Sequence, residues 1–235
     1  MNNHTLRRLG GFCFAAFLAV SSAFAFEGKV DMKMTSGSNG KDAMEMSYRI
    51  KGDKMRIEIP ADSSNKKKKS RGDDSLGAVI IDGTKKEMTI LMTEQKMYMV
   101  RAIPEPKEPK KKSSDVDFKA TGRKEKIAGI EAEEYVGVSG GKINEVWVTK
   151  ELGKFIGQQS GQRGKQPSAW EVFAQKGDMF PLRTIQRSKA DGPEEFRMEV
   201  TNVDRSKQDA SLFAPPADYT KFAMGEMMKG MIPGR

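Results

Sequence analysis

Residues Glu87–Val100 read EMTILMTEQKMYMV. Two short apolar runs flank Thr93-Glu94-Gln95, a pattern that predicts two antiparallel strands joined by a tight turn. Strands favour branched and aromatic side chains, yet Met88, Met92, Met97 and Met99 stand where valine or isoleucine would be ordinary. An unbranched thioether adapts to irregular or changing surroundings. What this sheet is for therefore depends on what its methionines face.

The same alternation extends in both directions. Val30, Met32 and Met34 alternate with Asp31, Lys33 and Thr35; Met44, Met46, Tyr48 and Ile50 alternate with Glu45, Ser47 and Arg49; and Met55, Ile57 and Ile59 follow a turn at Lys51-Gly52-Asp53. That predicts one meander with a single apolar face. A second is predicted from Ala78–Asp82, Glu87–Met92 and Lys96–Arg101, turned at Asp82-Gly83 and around Glu94. Further strands are expected over Glu131–Val138, Lys142–Thr149, Phe180–Arg187 and Glu194–Asp204. Between them Ser168-Ala169-Trp170-Glu171 is a capping box, Trp170, Phe173 and Ala174 share helical spacing, and Gly177 is a stop. Roughly ten strands with one short helix, and a second helix or tail over 223–235, predict a mainly β domain over 26–222 built on one strongly curved antiparallel sheet, with a sandwich as the rival.

Composition limits the chemistry. Arg7 and Arg8 precede an apolar run, Leu9–Phe24, and Ala23-Phe24-Ala25 is a cleavage pattern, so residues 1–25 are expected to be a signal peptide and the mature protein periplasmic or extracellular. Cys13 and His4, the one cysteine and one histidine, both lie in that segment. A mature chain without either excludes disulfides, thiol catalysis, Ser-His-Asp hydrolysis and zinc sites built from His or Cys. Arg7 and Arg8 leave with the peptide, so 39 of the 41 basic residues face 32 acidic ones. Lys66–Lys69, in a loop near 61–77, and the Pro/Lys-rich stretch near 104–116 read as mobile basic loops, either solvated linkers or attractors of anions such as a membrane surface. Neither carries the interleaved aromatics of a nucleic-acid site, so no nucleic acid is expected.

Gly28–Ser36 (GKVDMKMTS), Tyr48–Ile59 (YRIKGDKMRIEI), Val79–Val100, Thr121–Val138 (TGRKEKIAGIEAEEYVGV), Ile143–Gly153, Phe180–Ile185 (FPLRTI) and Ser211–Tyr219 (SLFAPPADY) together resemble a family of secreted bacterial proteins known as domain of unknown function 4412. The segments at Lys66 and Pro104 depart from its pattern. More distantly, the order of pieces resembles the periplasmic lipoprotein-carrier fold, and that resemblance implies a half-barrel closed by helices over an apolar cavity, with a lipid-type ligand.

Two readings of the methionines stay open. In one, Met32, Met34, Met44, Met46, Met55, Met88, Met92, Met97 and Met99, with Trp170 and Phe173, line a concave face that holds an acyl chain or other hydrophobic molecule; in the other they fill gaps in an ordinary core. Met224, Met227, Met228 and Met231 fall on one helical face, which suits docking on the sheet or, as an alternative, copper(I) ligation by thioethers. The carboxylates at Asp73-Asp74, Glu131-Glu133-Glu134 and Glu194-Glu195 form no recognisable acid–base pair, and no phosphate-binding loop opens a helix. The expectation is a monomeric, non-catalytic binding protein without a cofactor, its third alternative being a structural or surface-interaction module.

Overall fold

The computed structural model describes residues 26–37, 42–60, 75–103, 116–156 and 167–222. Two meanders build it. The first comprises β1 (Glu27–Ser36), β2 (Asp42–Lys51), β3 (Lys54–Pro60), β4 (Ser75–Asp82), β5 (Glu87–Met92) and β6 (Met97–Ala102). The second comprises β7 (Lys119–Ile127), β8 (Ile130–Ser139), β9 (Lys142–Thr149), β10 (Phe180–Arg187) and β11 (Phe196–Asp204), with helix α1 (Ala169–Lys176) between β9 and β10. A two-residue strand, β12 (Thr220–Lys221), follows a short 3-10 turn at Ala210–Phe213. Antiparallel pairing of β1 with β11 fuses the meanders into one sheet of order β12-β6-β5-β4-β3-β2-β1-β11-β10-β9-β8-β7. All strands share this open sheet, so the sandwich alternative is excluded.

The sheet is strongly curved. Laid flat at about 4.8 Å per strand, it would be roughly 50 Å wide, and α1 is only about 12 Å long. Yet Val30, Ile57, Val146 and Leu182 are fully buried within one apolar cluster that runs from β1 to β10. The sheet covers its own apolar face by curling over it. Register shifts at Asp31/Met32, Ala120/Lys124 and Pro181/Arg183 mark bulges, which bend a strand and increase its twist.

Sequence reading missed two strands. β7 (KATGRKEKI) is exposed along its length until Ile127, so as an edge strand it has no apolar face to alternate. Its turn is nevertheless encoded: Ala128 and Gly129 both have positive φ, 48° and 83°, as a two-residue hairpin requires. β12 is too short to leave a pattern. β4 begins at Ser75, inside the stretch expected to be loop. Residues 61–74, 104–115 and 223–235 lie outside the described residues, as does the expected signal peptide.

The opposite face is charged and strapped. Arg183 bonds both Glu125 and Glu199, Arg187 bonds Glu145 and Glu194, and Arg197 shares Glu194 and Glu199, forming a ladder of opposite charges across β7–β11. The guanidinium groups of Arg123 and Arg183 lie 5.7 and 5.9 Å from the Trp147 ring. From Asp204 the chain crosses β1–β3, tied by Gln208 to Glu27, Arg49 and Lys51 and by the Leu212 carbonyl to Arg56. Phe213 then enters a second cluster with Ala78, Ile80 and Leu91, and β12 pairs in parallel with the start of β6.

Candidate functional site

Register defines the inner face row by row, since directly paired residues point to the same side. One row runs Ile50–Met55–Ile81–Met88 across β2–β5. The next runs Val30–Tyr48–Ile57–Val79–Ile90–Met99 across β1–β6. Val200–Met32–Met46 follows on β11, β1 and β2, with Met92–Met97 on β5 and β6. A last row runs Tyr135–Val146–Thr184–Met198–Met34–Met44 from β8 to β2. The methionines expected on one face are indeed on one face.

They are not equally covered. Met32, Met46, Met55 and Met88 are 1–4% exposed and belong to the packed core. Met34, Met92, Met97 and Met99 are half-buried, and Met44 is 50% exposed. The apolar face is thus filled at its centre, Met88 of β5 included, and less covered at two ends, along Met34–Met44 and at Met92, Met97 and Met99.

Aromatic side chains close the centre. Glu171 accepts hydrogen bonds from the Ser168 N–H and hydroxyl, fixing the start of α1. This aims Trp170 and Ala174 at the sheet while Phe173 stays half-buried. Trp170 packs on Phe155 at 5.8 Å, Phe155 meets Phe180 edge-on at 5.5 Å, and Phe155 reaches Tyr48 on β2 at 6.3 Å. Phe173 stacks on Phe118 at 4.5 Å and tilts onto Tyr135 at 5.0 Å. A Cβ at Gly137 would lie 2.9 Å from the Phe118 ring and 3.0 Å from Val116, so the glycine lets residues 116–118 close over β8. Phe155 and Phe118 are single aromatics in irregular segments, which no periodicity marks; Tyr48 stands in the alternation of β2 but was not singled out.

Electrostatics on this face are spare. Burial raises the Tyr48 hydroxyl above its ordinary range, and Glu171 adds to the rise. Burial, then the neighbouring Glu133, likewise raises Tyr135. Glu133 and Glu134 project to opposite sides, Glu133 opposite Val148 and Glu134 opposite Trp147. Glu134, fully buried, bonds Arg123 and Thr121 and so serves the outer face. No three His, Cys, Asp or Glu side chains among the described residues gather to hold a metal ion. The alternative copper ligands Met224, Met227, Met228 and Met231 lie outside the described residues. Among those residues no helix is long and apolar enough to cross a membrane.

Residues 26–219 match the family described as "Domain of unknown function (DUF4412)", and the chain belongs to that family. No curated protein matches it. Among solved structures it is similar to an uncharacterized conserved protein from Thermus thermophilus, at 14% identity over 83% of this chain and 90% of that one, with a TM-score of 0.44. It is similar also to PNGF-II, at 17% identity over 88% of this chain and 33% of that one, with a TM-score of 0.47. A LolA superfamily protein from Nitrosomonas europaea shares 10% identity over 81% of this chain and 90% of that one, with a TM-score of 0.33.

Proposed function

We propose that this member of the family is a non-catalytic carrier or binding protein of the periplasm or extracellular space. It holds a hydrophobic ligand, the acyl chain of a lipid or lipoprotein, on the methionine-bearing part of its inner face. The observation that carries this reading is the gradient of coverage: one continuous apolar face is packed at Met32, Met46, Met55 and Met88 and uncovered at Met44, with Met34, Met92, Met97 and Met99 between. Methionine suits such a margin, since a flexible, polarizable side chain repacks around chains of different shape at little cost. Apolar burial would supply the affinity. The excess of basic residues would favour approach to anionic membranes.

Native mass spectrometry of the mature protein, purified without detergent from a periplasmic extract, tests this directly. Adducts with masses of acylated lipids are expected, and they should be lost in the double variant Met44→Glu, Met97→Glu. A bare mass, unchanged after incubation with phospholipid vesicles, would overturn the reading.

A further inference from the structure

Beyond Tyr135 at its start, the row that ends at Met44 contains one polar residue. Thr184 on β10 lies between Val146 and Met198, and its side chain is fully buried. Its Oγ1 has no hydrogen-bond partner. A buried hydroxyl left unpaired costs roughly 1–3 kcal/mol, which a valine of the same shape would avoid. The neighbouring row places two amides beside it on the same face: Gln186 pairs with Asn144, its Nε2 donating to Asn144 Oδ1 at 2.7 Å, and Asn144 Nδ2 donates to the Lys142 carbonyl at 3.1 Å. Asn144 is 1% exposed and Gln186 half-buried. An apolar face meant only to be packed has no use for an unpaired hydroxyl there.

We infer that Thr184, with Gln186 beside it, is a subsite for the uncharged polar group of the bound amphiphile, an acyl ester or amide carbonyl. The inference rests on the ligand-binding reading above and names the ligand class within it. Thr184 Oγ1 donates to the carbonyl oxygen once the ligand displaces the side chains packed over Thr184 and the 1% exposed Met198, and the acyl chain leads out to Met34 and Met44. Hydroxyl and amide groups suit a neutral carbonyl, whereas a carboxylate or phosphate would be desolvated here without a counter-charge. The Tyr135 hydroxyl on this face donates to the acidic Glu133 at 3.4 Å, which opposes an anion, and the cations Lys124, paired with Glu133, and Lys142, two residues before Asn144, already bond Glu131 and Glu195. Phe118 and Phe173, stacked on each other and half-buried, cover the row at its Tyr135 end, two strands from Thr184.

The test is displacement of the uncharged fluorophore N-phenyl-1-naphthylamine from the mature protein at pH 8 by a monoacylglycerol and by the free fatty acid of the same chain length. Wild type is expected to prefer the monoacylglycerol, and Thr184→Val to reduce that preference on the order of tenfold, with Thr184→Ser retaining it. Thr184→Val should keep or raise the melting temperature, because the hydroxyl has no partner to lose. Equal displacement by the two lipids, or an unchanged preference in Thr184→Val, would overturn the subsite while leaving the carrier reading intact. A lowered melting temperature in Thr184→Val would also overturn it by assigning the hydroxyl to the fold. Failure of wild type to take up the fluorophore or either lipid would instead remove the carrier reading, and the subsite with it.

Discussion

Methionines with the same sequence pattern occupy two different environments, so the same substitution should act in two ways. Met55, 2% exposed, fills a centre whose neighbours cannot collapse freely, and Met55→Ala should cost about 2–4 kcal/mol in denaturant unfolding. Met97→Ala, at a half-buried site beside a turn, should cost under about 1 kcal/mol. Glutamate separates them further. Met46→Glu buries a charge at a site 4% exposed and should abolish folding, whereas Met97→Glu should fold and lose the ligand. Circular dichroism melts of the variants check the folding statements, and native mass spectrometry checks the loss of ligand. Alternation in β1–β3 and β5 made the shared face legible, but not the depth of each residue, because depth depends on which other elements cross above it.

Helix α1 and the strap from Arg205 to Lys221 are short elements that depend on tertiary contacts for stability. A helix of eight residues is marginal alone, so its capping box matters: Glu171→Ala should cost about 1 kcal/mol in thermal unfolding. Its end signals, Ser168, Glu171 and Gly177, were readable because capping is local chemistry. The strap was readable only as the segment SLFAPPADY, since its partners come from β1–β6. Phe213→Ala should cost about 3–5 kcal/mol, as Phe213 is 7% exposed and fills the second cluster. At Gly137 the crowding is by side chains of residues 116–118, so Gly137→Ala should displace that segment and speed ligand release in a stopped-flow exchange experiment.

For the whole molecule, charge governs the response to pH. Burial raises Glu199 and Asp31, but hydrogen bonds from Arg183 and Arg197 to Glu199, and from Lys29, Ser47 and Asn202 to Asp31, outweigh it and leave both below their ordinary values. Glu125 is lowered first by its hydrogen bonds from Arg183. A carboxylate depressed in the folded state contributes stability that is present above its unfolded pKa, given by the ordinary values of 4.5 for Glu and 3.8 for Asp, and lost as pH falls through the folded pKa. The melting temperature of residues 26–235, which contain no histidine, should therefore be flat between about pH 5 and 7.5, where no side chain of ordinary pKa titrates, and fall steadily below about pH 4.5. A step near pH 6 would contradict this. Cosedimentation with anionic lipid vesicles should likewise decline as salt rises from about 0.05 to 0.5 M, because surface charges are screened over a few ångströms at the higher value.

Local periodicity and turn chemistry by themselves determined ten of the strands, the helix and its caps, and the methionine-bearing face, because each is settled by residues within a few positions of one another. Edge strand β7 escaped for the same reason: a strand without a buried face carries no alternation. The tertiary structure alone decided that β1 pairs with β11 to join the meanders, that Phe155 and Phe118 join Trp170 and Phe173 over the face, and that Thr184 sits unpaired among apolar neighbours. Those facts depend on contacts between segments far apart in sequence, which side-chain packing selects and no local pattern records.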